Sequence, residues 1–141
     1  MNKCVLPASG SGHPVVCWLL TAAEMKRCDS NTSEIFGVPS VVLMERAALY
    51  TESMRVKKKL EEQAGQLGLH PKRRVLIAAG GGNNGADGIA IGRLLLQEGY
   101  DVSFYLTSSE EKAGELLKLQ LHAAKAYGAV ICDTIPDGEY D

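Results

Sequence analysis

Arg74-Val75-Leu76-Ile77-Ala78-Ala79-Gly80-Gly81-Gly82-Asn83-Asn84-Gly85-Ala86-Asp87-Gly88 decides the fold. Val75 to Ala79 make a short unbroken apolar run bounded by turn residues, the pattern of a strand buried on both faces. Gly80 to Gly85 read as a loop. From Ala86 to Glu98 the apolar spacing becomes helical through Ile89, Leu94 and Leu95, and Gly99 stands where a C-terminal cap belongs.

Downstream the alternation repeats. Val102 to Leu106 read as a second strand, and Ser108-Ser109-Glu110-Glu111 offer a capping box for a helix through Leu116, Leu117, Leu119, Leu121 and Ala124. Gly128 ends that helix, and Ala129 to Cys132 form a third strand. A β-α-β-α-β run predicts an α/β fold with a mainly parallel sheet and right-handed crossovers.

Upstream the sequence is helical. Thr21-Ala22-Ala23-Glu24 is a capping box, flanked by Leu20 and Met25 at staple positions, so a first helix starts there and runs to about Asn31. Gly37-Val38-Pro39-Ser40 interrupts, because the residue before proline avoids the helical region. Leu43, Ala47, Tyr50 and Met54, then Leu60, Ala64 and Leu67, extend one apolar stripe that Gly65, Gly68 and Pro71 end. Residues 1–19 are expected to be a flexible arm, leaving 20–141 as the domain.

Composition bounds the function. A chain of 141 residues suits one domain, and 15 basic against 17 acidic side chains leave no basic field to hold nucleic acid or an anionic membrane. Lys57-Lys58-Lys59 and Lys72-Arg73-Arg74 therefore read as solvated charge. Val15 to Leu20 are too short a run for a membrane span and poor as a signal sequence. Cys4, Cys17, Cys28 and Cys132 are widely spaced without a C-x-x-C pair, which favours reduced thiols and a cytoplasmic protein. His13, His70 and His122 are scattered and read as structural or solvated residues.

Gly80, Gly82 and Gly85 satisfy G-x-G-x-x-G between a strand and a helix, where bare backbone N–H groups and the helix N-terminus can hold a phosphate. The pattern alone also fits a tight structural turn. The second strand ends in Thr107-Ser108 rather than the acid that binds ribose in a dinucleotide dehydrogenase. No Gly-Lys-Ser/Thr follows, so a Walker loop fails as well. Asn83, Asn84 and Asp87 add neutral and acidic oxygens suited to a monovalent cation or sugar hydroxyls. Alternatively, the asparagines tolerate left-handed turn geometry and Asp87 favours a helix start.

The Gly80–Gly88 segment resembles the G-x-G-N-N-G-G-D-G signature of YjeF N-terminal domains, the NAD(P)H-hydrate epimerases. A second block agrees: Leu20-Thr21-Ala22-Ala23-Glu24-Met25, Asp29, Gly37-Val38-Pro39-Ser40 and Leu43-Met44-Glu45-Arg46-Ala47 are similar to the family's opening helices. Ala86 departs from the usual glycine and puts a methyl group near the expected ligand. The resemblance implies a Rossmann-like three-layer fold. It also implies an isomerase that interconverts the R and S forms of hydrated NADH and NADPH in metabolite repair. Asn83, Asn84, Gly85, Ala86 and Asp87 would contact substrate, and the Asn84 side-chain oxygen would ligate potassium. A homodimer and a fused or separate dehydratase are the implied partners.

The family's later Asp-Ala-x-x-Gly-x-Gly segment has no counterpart up to Asp141. The acid–base group is therefore expected beyond Asp141, with the domain stopping partway. Two other functions stay open: a non-catalytic binding or scaffold module of the same fold, and an unrelated nucleotide-binding enzyme using the glycine loop.

Overall fold

The structure, a computed structural model, describes residues 2–6, 15–52, 56–59, 62, 74–138 and 140. It divides into two compact units, Met1–Ser40 and Val41–Asp141.

In the first unit β1 (Asn2–Leu6) pairs antiparallel with β2 (Val15–Leu19), a pairing that the reading of residues 1–19 as an arm did not contain. The register sets Cys4 opposite Cys17, a juxtaposition that linear spacing does not reveal. Helix α1 (Ala22–Glu34) starts at the predicted capping box. The Glu24 amide donates to Thr21 Oγ1 at 3.3 Å and the Thr21 amide to Glu24 Oε2 at 2.9 Å, satisfying two amides of the first turn. Gly37 turns the chain beyond it with φ of +69°.

The second unit contains α2 (Ser40–Thr51) from its second residue on, then β3 (Arg74–Ala79), α3 (Asn83–Gln97), β4 (Asp101–Leu106), α4 (Glu115–Ala126) and β5 (Val130–Cys132). The three strands are parallel in the order β3-β4-β5, with Val75 opposite Val102 and Phe104 opposite Ile131. Consecutive strands that are also neighbours, joined by right-handed crossovers, put both helices on one face of the sheet. There α3 and α4 pack against each other.

The core lies under those helices. Phe104, Ile89, Leu95, Leu117 and Leu121 are all but inaccessible, and each stabilises the fold by roughly 1.5–3 kcal/mol relative to exposure. Gly92 lets α3 lie close to the sheet, because a side chain there would run into the Phe104 ring and Ile77. The two predicted stops hold: Gly99 and Gly128 take φ of +89° and +86°, and the amides behind them close back onto Leu95 and Ala124.

Several predicted details change. The inner face of α4 reads Leu117, Gln120, Leu121, Ala124, while Leu119 is half exposed. On α2 the buried residues are Met44 and Ala48, one position past the expected Leu43 and Ala47, and Tyr50 is exposed. Met54, Leu60, Ala64, Gly65, Leu67, Gly68, Pro71, Lys72 and Arg73 lie outside the described residues, as do His13 and His70. Strand β3 is buried at Val75 and Ala79, half-buried at Leu76 and exposed at Ala78, so among the described residues its two faces are unequally covered. The Ser108 capping box forms no α-helix. Glu110–Lys112 make one 3-10 turn, and α4 starts later, after Gly114.

Candidate functional site

The three strands point their carboxyl ends the same way, toward the glycine loop. In open parallel sheets ligands bind at that end. Helix α3 begins at Asn83 with Gly82 as its N-cap, three residues earlier than the spacing suggested. The loop proper is therefore Gly80–Gly82, and Asn83, Asn84 and Gly85 form the first helical turn, whose amides have no partner within the helix. That turn carries the positive end of the helix dipole.

This placement removes both bland explanations. Among the described residues no side-chain-bearing residue has positive φ, so Asn83 and Asn84 are not there to tolerate left-handed geometry. Asp87 sits in the second turn, past the positions that favour an acid at a helix start. Asn83 and Asn84 are exposed at the helix end, and Asp87 is half buried.

Gly85 and Ala86 behave differently from their neighbours. Both are buried, and Ala86 is wholly inaccessible within the hydrophobic cluster of Ala79, Ile89 and Phe104. Its methyl group thus enters the core instead of the expected ligand space. Gly85 is pressed onto the Gly80 carbonyl, where any Cβ would collide with backbone. The five expected contact residues therefore split into three that reach the surface and two that hold the loop against the sheet.

Asn84 and Asp87 line a cleft of about 370 Å³ with Ala47, Ala48 and Thr51 of α2 and Gly88 and Ile91 of α3. Desolvation pushes the Asp87 carboxyl above the ordinary carboxylate range. No basic side chain lines the same cleft to offset this. Amide and carboxylate oxygens of this kind can hold a cation.

A second cleft, about 340 Å³, opens at the ends of β4 and β5 and is lined mainly by Thr107, Ser108, Ser109, Glu110, Cys132 and Asp133. It adjoins the glycine loop. The Thr107 amide and hydroxyl both donate to the Ala79 carbonyl, at 3.0 and 3.4 Å, and a side chain at Gly81 would begin 3.0 Å from Ser108 Oγ. In the sequence Thr107-Ser108 stand out only for a missing acid. Asp133, one residue past the third strand, was the available signal.

Glu45 of the second resembling block is tied into the scaffold. Arg93 Nη2 donates to Glu45 Oε1 at 2.7 Å and Gln120 Nε2 to the same oxygen at 2.8 Å, joining α2, α3 and α4. Asp29 is exposed in the first unit, and His122 is exposed on α4, outside the lining of both clefts of its unit. Of the lysine run, Lys57 bonds Glu98 at 2.8 Å. Among the described residues no cluster of three metal-binding side chains occurs, and no helix is long and apolar enough to cross a membrane.

Comparison with known proteins gives the family. The family described as YjeF-related protein N-terminus matches residues 40–141, from the first residue of α2 onward. A protein of Weissella koreensis named NAD(P)H-hydrate epimerase is 41% identical over 118 residues, covering 84% of this chain and 49% of that protein. The epimerase so named from Oenococcus oeni is 36% identical over 118 residues, covering 84% and 52%. The chain thus spans about half the length of the relatives it matches. The crystal structure of yeast ynu0 superposes with a TM-score of 0.64 at 22% identity, covering 82% of this chain and 46% of that one, and shares the α/β fold. With the family match running from α2 through β5 and over the glycine loop, the chain belongs to the YjeF N-terminal domain family.

Proposed function

We propose that this chain carries the loop half of an NAD(P)H-hydrate epimerase, which interconverts the R and S forms of hydrated NADH and NADPH. The observation that supports it most is the first turn of α3. Asn83 and Asn84 present amides and free backbone N–H groups at the carboxyl end of β3, with Asp87 one turn behind, in a chain whose relatives bear that name. The exposed N–H groups and the helix dipole would hold a phosphate of the dinucleotide. The Asn83 and Asn84 side chains would orient the ring that bears the hydroxyl.

Epimerisation breaks the ring C–O bond as the hydroxyl accepts a proton and leaves as water, while the ring nitrogen supplies electrons. Water then returns to the opposite face and loses a proton. A donor and acceptor within hydrogen-bond reach are required, and no residue of this chain is assigned that role. Asn84 would hold a potassium ion, with Asp87 balancing its charge; when bound, the ion supplies positive potential beside the reacting ring. A homodimer, a dehydratase acting on one epimer, and a cytoplasmic setting complete the proposal.

The test is to give the full-length protein one purified epimer of hydrated NADH and follow the other by proton NMR. Equilibration far faster than in buffer supports the reading. Saturable binding without acceleration would instead favour a binding module.

A further inference from the structure

The cleft at the ends of β4 and β5 has a lining that neither the glycine loop nor the first-turn asparagines account for. Thr107, Ser108 and Ser109 bring hydroxyls, and Asp133 brings a carboxylate from the end of the neighbouring strand. The Thr107 hydroxyl spends its proton on the Ala79 carbonyl, leaving its oxygen as an acceptor. Charge in the cleft is decided by two groups. Both oxygens of Glu110 are bonded by Lys125 Nζ, at 2.9 and 2.7 Å, so that acid and that base neutralise each other. Asp133 has no ion pair among the described residues, so the cleft is left with an uncompensated acceptor.

Hydroxyls that donate or accept, beside one free carboxylate and no free cation in the lining, do not suit a phosphate dianion. They suit a vicinal diol, whose two O–H groups can both donate to one carboxylate. The volume, about 340 Å³, matches a sugar rather than a whole dinucleotide. The cleft also continues directly from the glycine loop. The Ser108 hydroxyl lies over Gly81, and the Gly114 amide donates to the Gly81 carbonyl at 3.0 Å, so loop and cleft wall form one surface.

We infer that this cleft is the seat of a ribose, with Asp133 accepting its 2′- and 3′-hydroxyls while the 5′-phosphate rests on the Gly82–Asn84 amides. In dinucleotide dehydrogenases the ribose acid ends the second strand of the fold. Here that position is Thr107-Ser108, and the sheet supplies the carboxylate one strand further along. The inference rests on the proposed nucleotide substrate only for which ribose is bound; the diol preference stands on the cleft.

Binding separates the two. Titration calorimetry on the full-length protein would compare adenosine 5′-monophosphate with its 2′,3′-dideoxy analogue, in wild type and in Asp133→Asn. Loss of hydrogen bonds to a charged group predicts about tenfold weaker binding of the dideoxy compound to wild type. In D133N the two ligands should agree within about twofold. Equal affinities in wild type, an undiminished preference in D133N, or no binding of either compound would each overturn the inference. In the epimerase assay D133N should raise KM about tenfold at unchanged kcat, the mark of lost uniform binding. Absence of turnover in wild type, with the diol preference intact, would count against the epimerase and leave the ribose site standing.

Discussion

The Gly114 amide donates to the Gly81 carbonyl at 3.0 Å, so the turn that precedes α4 is bonded to the glycine loop that precedes α3. This bond explains why the Ser108 capping box fails to start a helix. Ala113 is buried and Gly114 is drawn to the loop, so the chain leaves its 3-10 turn in extended geometry and starts α4 afresh at Glu115. Local propensity lost to a tertiary contact that shapes the site.

The glycines of the loop should respond unequally to substitution. Gly85→Ala puts a methyl group into the Gly80 backbone and should cost about 2 kcal/mol or more. At Gly82 a Cβ would meet nothing within 4 Å, φ is −104°, and no side-chain cap exists. Gly82→Ser should therefore leave stability unchanged or raise it by a few tenths of a kcal/mol through a new cap bond. Thermal melts of the two variants check this, and a G82S melt far below wild type would contradict it.

The Glu45–Arg93 pair predicts an asymmetric pair of mutants. Arg93 is 7% exposed, whereas the Glu45 side chain is 39% exposed and reaches solvent. Removing Glu45 strands a buried guanidinium and should cost about 2–3 kcal/mol, discounted for the partial exposure of the pair. Arg93→Met keeps the packing of the aliphatic stem and leaves only a wettable carboxylate behind. E45A should thus be more destabilising than R93M in denaturant unfolding. The double mutant should be less destabilised than the sum, because the buried charge is gone.

Glu52 links stability to pH. It is 5% exposed, its Oε1 has no hydrogen-bond partner among the described residues, and desolvation raises its pKa above 4.5 despite the nearby Lys57. The folded state holds the proton more tightly than the unfolded one. Its contribution is therefore fully present below pH 4.5 and is lost as pH rises from there through the raised folded value. Glu52→Gln should stabilise the protein at pH 7 by about 1 kcal/mol. The gain should vanish in acid, which urea titrations at both pH values would show.

The alternation of strand and helix was legible because each β-α unit carries its own period and its own glycine stop. Asn83 and Asn84 were legible as a chemical pattern but not as a helical turn, since a G-x-G-x-x-G stretch does not state where coil ends. Ala86 misled because a one-letter departure from a motif says nothing about which way a methyl group points; only the packing of α3 on the sheet turns it inward. Arg93 and Gln120 were passed over because polar residues on helices read as solvated, whereas both are buried around Glu45. Asp133 was legible as the acid after the third strand but not as part of a site. Its interest depends on β5 lying beside β4, a neighbour relation that spacing along the chain does not carry.

Asn84 offers the last test, through ion dependence. Its amide and the Asp87 carboxylate line one cleft, and desolvation alone raises the Asp87 pKa, the condition a bound cation would relieve. If potassium binds there, replacing it with choline in the buffer should lower epimerisation by the full-length protein. Asn84→Ala should be slow in either buffer, by about tenfold or more, and insensitive to the exchange. Asn84→Asp places a formal charge beside Asp87 and should shift preference toward smaller, more strongly hydrated cations. A protein that turns over equally with potassium and choline would remove the ion from the reaction while leaving Asn84 as a substrate contact. An N84A variant that still responds to potassium would place the ion elsewhere.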